Sequence, residues 1–218
     1  ALIFPLHVPA HATTTVTKTI YVSKSDGTPY VGAQVALVGW DPIEEVTIES
    51  SVATVGSGGY ASVEVDSTID YGSIAAQPPV GDYTHAAYSE NNQYLDRSDQ
   101  TLRISLKPAN LKVRLALPDG SDAPAGSNIS FPSSTNPDGA ALFTLRPGPF
   151  GIDLSTDILP GEVKPIGVDV PASNAFYHVY GLTVDTEGGY HFYADDKCTV
   201  QIAPISGIYV LKADAANL

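Results

Sequence analysis

Alternation of apolar and polar residues is the feature that most constrains the fold of this chain. The clearest runs lie at residues 16–23, 33–37, 61–65 and 102–107. A period of two places successive side chains on opposite faces of an extended strand. No apolar stripe of helical period is sustained anywhere in the sequence, and 19 Gly and 17 Pro interrupt it too often for long helices. The pattern predicts an all-β protein.

A degenerate internal repeat runs through the alternating pattern. The first copy has a strand that ends in Asp26-Gly27, and the second has a strand that ends in Asp119-Gly120. In each copy a glycine then opens another alternating run, and a glycine turn precedes a third strand. Asp-Gly is typical of tight turns because glycine adopts positive φ without steric cost. The repeat predicts two similar β modules in tandem.

The second copy continues through Asp138-Gly139-Ala140 to a Leu145-Arg146-Pro147-Gly148 element and a further strand. This order resembles the carboxypeptidase-regulatory-like and transthyretin-like repeats of prokaryotic surface proteins, which are immunoglobulin-like β-sandwiches. The first copy keeps only the opening half of the pattern. A length of 218 residues suits two sandwiches of about 100 residues each.

The predicted organisation is therefore two tandem immunoglobulin-like β-sandwich domains preceded by an N-terminal extended strand. The extended strand covers residues 1–12, the first sandwich residues 13–108 and the second residues 109–218. Further strands are expected near residues 166–170, 176–184, 190–193, 199–202 and 208–211, with a hairpin at Glu187-Gly188-Gly189. Residues 66–99 are the least regular stretch, and we expect long loops with one short embedded strand there.

The N-terminal dozen residues carry an apolar face that precedes the first strand of the repeat. Leu2, Phe4, Leu6 and Val8 share one face when this segment is extended. Proline at positions 5 and 9 excludes a helix but suits an edge strand. Two interpretations stay open: the segment is the first strand of its own sandwich, or it is donated to a neighbouring copy, which would propagate a head-to-tail filament.

Charge limits the partners of the chain and its location. The formal net charge is −13, which disfavours nucleic acid and anionic lipid as partners. No apolar run has transmembrane length, so no membrane insertion is expected. We expect an extracellular or cell-surface protein that assembles with copies of itself. The sequence contains no Met, which leads us to expect a processed chain.

Aromatic residues support an alternative function, an adhesive module that binds carbohydrate or a cell-surface receptor. Amphipathic rings suit both sugar faces and protein interfaces. The candidate ligand-binding aromatics, expected mainly on loops, are Trp40, Tyr71, Tyr83, Tyr88 and Tyr94.

Motifs for enzymatic chemistry are missing from the sequence. No nucleophile elbow, phosphate-binding loop, dinucleotide-binding glycine pattern or zinc spacing occurs, so we expect no enzyme, no catalytic residue and no cofactor. Four acidic residues are weak candidates for calcium ligands, although their spacing matches no EF-hand. These candidates are Asp185, Glu187, Asp195 and Asp196, with His178 and His191 expected to flank the nearby hairpin.

Three further residues are candidates for covalent modification, and a fourth is the single cysteine of the chain. Asn128 begins an Asn-x-Ser glycosylation sequon, although the following residues have the pattern of a strand. Lys18 is a candidate donor and Glu64 a candidate catalyst for an internal Lys–Asn isopeptide crosslink, but both are predicted to face outward, which disfavours a reaction that needs buried groups. Cys198 is the single cysteine and is expected to be a small buried hydrophobe.

Overall fold

The computed structural model describes residues 14–41, 46–67, 71–95, 98–124, 127–130, 148–154, 159–170 and 176–212. Within these ranges the regular elements are all β-strands, which confirms the predicted all-β class. The first eight strands are β1 (Thr15–Lys24), β2 (Gln34–Asp41), β3 (Val46–Glu49), β4 (Ala53–Thr54), β5 (Tyr60–Asp66), β6 (Tyr71–Gln77), β7 (Tyr88–Tyr94) and β8 (Gln100–Leu106). The others are β9 (Leu111–Ala116), β10 (Asn128–Ser130), β11 (Pro149–Ile152), β12 (Val163–Val170), β13 (Phe176–Val184), β14 (Tyr190–Tyr193), β15 (Gln201–Ile202) and β16 (Tyr209–Lys212).

Strands β1 to β8 form the first sandwich. One sheet has the order β5-β1-β8, in which β1 pairs antiparallel with β5 and parallel with β8. The facing sheet has the order β3-β2-β6-β7, with β4 also paired to β2. Side chains from both sheets meet in one core, in which Ile20, Leu37, Ile74 and Leu106 are each at most 1% exposed. Burying each such side chain stabilises the fold by roughly 1.5–3 kcal/mol.

Strands β9 to β16 form the second sandwich with the same plan. Its three-stranded sheet has the order β11-β9-β16, and β9 pairs antiparallel with β11 and parallel with β16. Its larger sheet has the order β10-β12-β13-β14-β15. The core between them contains Val113, Ile166, Leu182, Phe192 and Leu211. In both sandwiches the first strand therefore lies in the middle of the smaller sheet beside the last strand. This shared arrangement agrees with the two similar modules that the internal repeat predicts.

Local turn chemistry agrees with the sequence at several positions. Gly27, Gly120 and Gly188 have positive φ, as their predicted turns require. Strands β13 and β14 have the predicted bounds, and residues 108 and 109, where the predicted domains meet, lie between β8 and β9.

One prediction about regular structure is wrong. Residues 66–99 were expected to be long loops with one short strand, but they contain β6 and β7, each seven residues long. These two strands pair with each other, and β6 also pairs with β2, so they complete the larger sheet of the first sandwich. Their sequences are rich in Tyr, Gly, Ser and Asn, which gives them weak alternation. Pairing with β2 and burial of Ile74 stabilise them instead.

No helix in the described part of the chain is long and apolar enough to cross a membrane.

Candidate interaction surfaces

The N-terminal segment joins the first sandwich at one end of β1. Residues 1–13, which include the predicted donor face of Leu2, Phe4, Leu6 and Val8, lie outside the described residues. Where the described chain begins, Thr14 accepts a hydrogen bond at 2.8 Å from the Ser67 amide, one position beyond the Thr15–Asp66 pair of β1 and β5. Strand β1 is thus already flanked on both sides by β5 and β8, both from its own sandwich.

Three of the predicted aromatic residues lie on neighbouring strands at one end of the larger sheet. Tyr71 and Tyr94 are directly opposite each other on β6 and β7. On β2, Trp40 follows Gly39, which pairs with Gly72 on β6. Because the two strands are antiparallel, the position opposite Trp40 is that of Tyr71. The Tyr94 side chain is 58% exposed. These three residues are adjacent in register and lie on strands, whereas loops were predicted.

The other two predicted aromatic residues are separated from those three. Tyr88 is at the opposite end of β7, where it pairs with Ala76. Tyr83 lies in the loop between β6 and β7, and the Lys112 ammonium sits 5.6 Å from the centre of its ring. The structure therefore does not gather all five aromatics into one site.

The acidic calcium candidates fall into two groups at opposite ends of β14. Asp185 and Glu187 belong to the hairpin between β13 and β14, whereas Asp195 and Asp196 belong to the turn between β14 and β15. In each turn the first aspartate is committed to the local backbone: Asp185 accepts from the Gly189 amide at 2.8 Å, and Asp195 accepts from the Lys197 amide at 2.9 Å. Among the described residues, no three His, Cys, Asp or Glu are placed to hold a metal ion together.

His191 contacts Asp185 at the hairpin between β13 and β14. Its Nε2 lies 2.9 Å from Asp185 Oδ2, and its Nδ1 lies 3.1 Å from Gln201 Nε2. The contact with His191 and the bond from the Gly189 amide lower the pKa of Asp185. His178 does not reach this group in the register, because it is five positions along β13 from Thr183, the residue opposite His191.

Lys18 differs from its prediction. It is 0% exposed and lies on the inner face of β1 with Ile20 and Val22, and its Nζ donates to the Ser98 carbonyl oxygen at 2.5 Å. The prediction that Lys18 faces outward is wrong because it ignored parity: a residue two positions from Ile20 shares its face. Glu64 on β5 is exposed, as predicted.

Cys198 is also placed differently from its prediction. It is half-buried and has a φ of 56°, so it belongs to the turn before β15 and not to a core strand. Burial raises the pKa of its thiol, and the charges of Asp195 and Asp196 raise it further. Both effects favour the neutral thiol.

Asn128, the predicted glycosylation position, lies on β10 opposite Asp169. Its neighbours Ser127 and Ile129 are 4% and 3% exposed. The sequon therefore lies in a paired strand beside buried residues.

Comparisons with known proteins give structural likenesses of low similarity. No protein-family model matches the chain, and no curated protein matches it. A streptococcal ancillary pilin is 9% identical, with a TM-score of 0.29 over 94% of this chain and 64% of that one. The Bacillus anthracis TIE protein is 10% identical, with a TM-score of 0.28 over 91% of this chain and 33% of that one.

The SpaE basal pilin from Lactobacillus rhamnosus GG is 9% identical, with a TM-score of 0.26 over 92% of this chain and 99% of that one. The chain spans less than two thirds of the first two of these structures. TM-scores this low do not establish a common fold.

Proposed function

We propose that the chain is a structural subunit of an extracellular filament, pilus or surface layer, and that it assembles head-to-tail by donating its N-terminal strand to a neighbouring copy. The observation that carries this proposal is the contrast between the N-terminal segment and β1. Residues 1–8 have an alternating apolar face, yet β1 is already flanked by β5 and β8 of its own sandwich. Neither side of β1 is therefore open to pair with a further strand.

Burial of that face favours association. Four large apolar side chains, at Leu2, Phe4, Leu6 and Val8, contribute roughly 6–12 kcal/mol when they leave water. Lost translational and rotational freedom costs roughly 4–15 kcal/mol, which is of the same size as this gain. Main-chain hydrogen bonds along a sheet edge must therefore add to the apolar burial to give a durable contact. A head-to-tail contact does not close on itself, so it extends into a fibre.

The edges of the sheets are candidate acceptors for a donated strand. Both cores are covered by strands of their own sandwiches; Leu106 in the first core and Phe192 in the second are each 0% exposed. A donated strand would therefore extend an edge such as β7 or β15, and it would not replace a core strand. Pairing of this kind uses unpaired backbone groups that edge strands present.

Two variants with a control test the proposal. Deletion of residues 1–12 should leave folded monomers that form no fibres by negative-stain microscopy and sedimentation. Replacing Leu2, Phe4, Leu6 and Val8 with Ser should have the same effect, because it removes the apolar face while keeping the length. Replacing Ile3 and His7 with Ser changes the opposite face and should leave fibres intact. Normal assembly of the deletion variant would reject strand donation.

A second candidate function is adhesion through carbohydrate or receptor binding, and the aromatic row of Trp40, Tyr71 and Tyr94 favours it. Amphipathic aromatic rings suit contact with the faces of sugar rings. Binding on a glycan array should be lost in Trp40→Ala and Tyr94→Ala. Tyr60→Ala is the matched control, because Tyr60 is 46% exposed on β5 of the other sheet. An array without any signal would count against this function.

Neither candidate function assigns the chain a catalytic role or a cofactor. A panel of hydrolase substrates tests that part of the proposal, and reproducible turnover by the purified chain would overturn it.

A further inference from the structure

A short segment between β6 and β7 pairs with the connection between the two sandwiches and with a strand of the second sandwich. His85 forms an antiparallel bridge with Pro108 in the connection between β8 and β9, and Ala86 forms a parallel bridge with Gly151 on β11. Two main-chain bonds join this segment to the connection: the Ala86 amide donates to Lys107 at 3.0 Å and the Ala109 amide donates to Thr84 at 2.8 Å. Residues 82–86, called the joint segment below, thus pair with chain from both sides of the domain boundary.

The joint segment is anchored to the first sandwich through Tyr30. The Tyr30 hydroxyl donates to Asp82 Oδ2 at 2.8 Å, and its ring meets the His85 ring edge-on with centroids 5.0 Å apart. Asp82 Oδ1 in turn accepts from the amide and hydroxyl of Thr84 at 2.9 and 2.6 Å. Because Tyr30 is 3% exposed within the first core, these bonds hold the segment against a rigid base.

The second sandwich meets the joint segment at Gly151. A β-carbon added at Gly151 would lie 2.6 Å from the Tyr83 carbonyl oxygen, 2.7 Å from that of His85 and 2.5 Å from the Ala109 β-carbon. Such distances are far inside van der Waals contact, so only glycine allows the segment to approach this closely. The Lys112 ammonium over the Tyr83 ring adds a second contact on the same side.

The connection itself is held to the second sandwich by Asn110. Its amide donates to the Ile152 carbonyl at 3.1 Å, and its side chain accepts from the Leu154 amide at 2.9 Å and donates to the Leu154 carbonyl at 3.2 Å. The polypeptide is therefore bonded to β11 and its continuation immediately after it leaves β8.

We propose that the joint segment locks the two sandwiches into one rigid body with a fixed relative orientation. Domains joined by a linker normally move relative to each other unless their interface is large and hydrophobic. Here the main-chain bonds to Lys107 and Ala109 and the bridge between Ala86 and Gly151 replace a large interface, since a rotation of either sandwich would break this pairing. This inference concerns the monomer and stands whether or not the chain forms filaments.

Residual dipolar couplings of the full chain test the proposal, because they report the orientation of each sandwich separately. In the unmodified protein, couplings from both sandwiches should fit a single alignment tensor. In Gly151→Ala the two sandwiches should require two different tensors, because the added methyl group expels the joint segment. Two tensors in the unmodified protein would overturn the proposal, as would a single shared tensor in Gly151→Ala.

Gly181→Ala is the matched control. Gly181 lies in a strand of the same sandwich, and its added β-carbon would be equally crowded, 2.7 Å from the Asp195 carbonyl oxygen and 2.7 Å from Cys198 Sγ, but it is remote from the joint segment in the pairing. It should keep one tensor. Ala86→Pro removes the amide that donates to Lys107 and substitutes no residue of the sixteen described strands, so it should separate the tensors even if Gly151→Ala does not fold. A single tensor in Ala86→Pro, or two in Gly181→Ala, would contradict the assignment.

Discussion

Replacing Lys18 tests whether its long side chain stabilises the first core by filling it. Lys18 is fully buried in β1, and the repeat gives the second sandwich Leu111 at the corresponding place, nine residues before the glycine of Asp-Gly in each copy. Leu111 is 3% exposed in the second core. The same interior position is thus occupied by an amine in one copy and by an alkyl chain in the other.

The expected magnitude follows from the buried stem of Lys18. Its four methylene groups contribute about 3 kcal/mol at about 0.8 kcal/mol each. Lys18→Leu and Lys18→Ala both lose the bond to the Ser98 carbonyl, but only alanine leaves an unfilled cavity. We therefore expect the free energy of unfolding of the alanine variant to be lower than that of the leucine variant by about 2–4 kcal/mol.

Urea unfolding followed by tryptophan fluorescence measures this difference in the first sandwich, which contains Lys18. The chain has one tryptophan, Trp40 on β2, so its emission reports the first sandwich. Glu64→Ala is the control on the exposed face of β5 and should change the free energy of unfolding by less than about 0.5 kcal/mol. Equal stabilities for Lys18→Leu and Lys18→Ala would refute the packing argument.

Three other perturbations have expected outcomes. The hydrogen bonds that Thr28 donates to Asp26 hold the pKa of Asp26 below the ordinary value of 3.8. Because the pKa of Asp26 is lower in the folded state, its contribution to the free energy of unfolding is complete above the pKa of the unfolded state. That contribution is lost as the pH falls through the pKa of the folded state. The melting temperature of Asp26→Asn should therefore depend less on acid than that of the parent. Asn110→Ala should lower the free energy of unfolding by about 1–2 kcal/mol in calorimetry because it leaves the Leu154 amide without that acceptor; an unchanged melt would contradict the anchoring role. Copies that each carry a net charge of −13 repel one another, so fibre formation followed by light scattering should accelerate with added monovalent salt, and a slower rate would contradict association through apolar contact.

The sequence predicts the strands best where alternation and glycine punctuation agree. Strands β13 and β14 and the hairpin between them follow directly from apolar alternation and from Glu187-Gly188-Gly189. Strands β6 and β7 escape prediction because their weak local pattern is overridden by pairing with β2, a contact between residues far apart in the chain.

The candidate sites are harder to predict than the strands because they depend on contacts between distant segments. The row of Trp40, Tyr71 and Tyr94 requires the register of three strands, which no local pattern gives. The joint segment was not predicted, although a signal for it exists: Gly151 interrupts an otherwise apolar strand, which is typical of close backbone approach.

The central claim, donation of the N-terminal strand to another copy, is tested most directly with a synthetic peptide of residues 1–12 added to the full chain. If donation occurs between copies, the peptide should occupy acceptor edges and cap growing fibres, so that the sedimenting fraction falls in a saturable way. A peptide with Ser in place of Leu2, Phe4, Leu6 and Val8 should have no such effect. Fibres that grow undiminished at saturating peptide, or a chain that stays monomeric and binds no peptide, would contradict the claim.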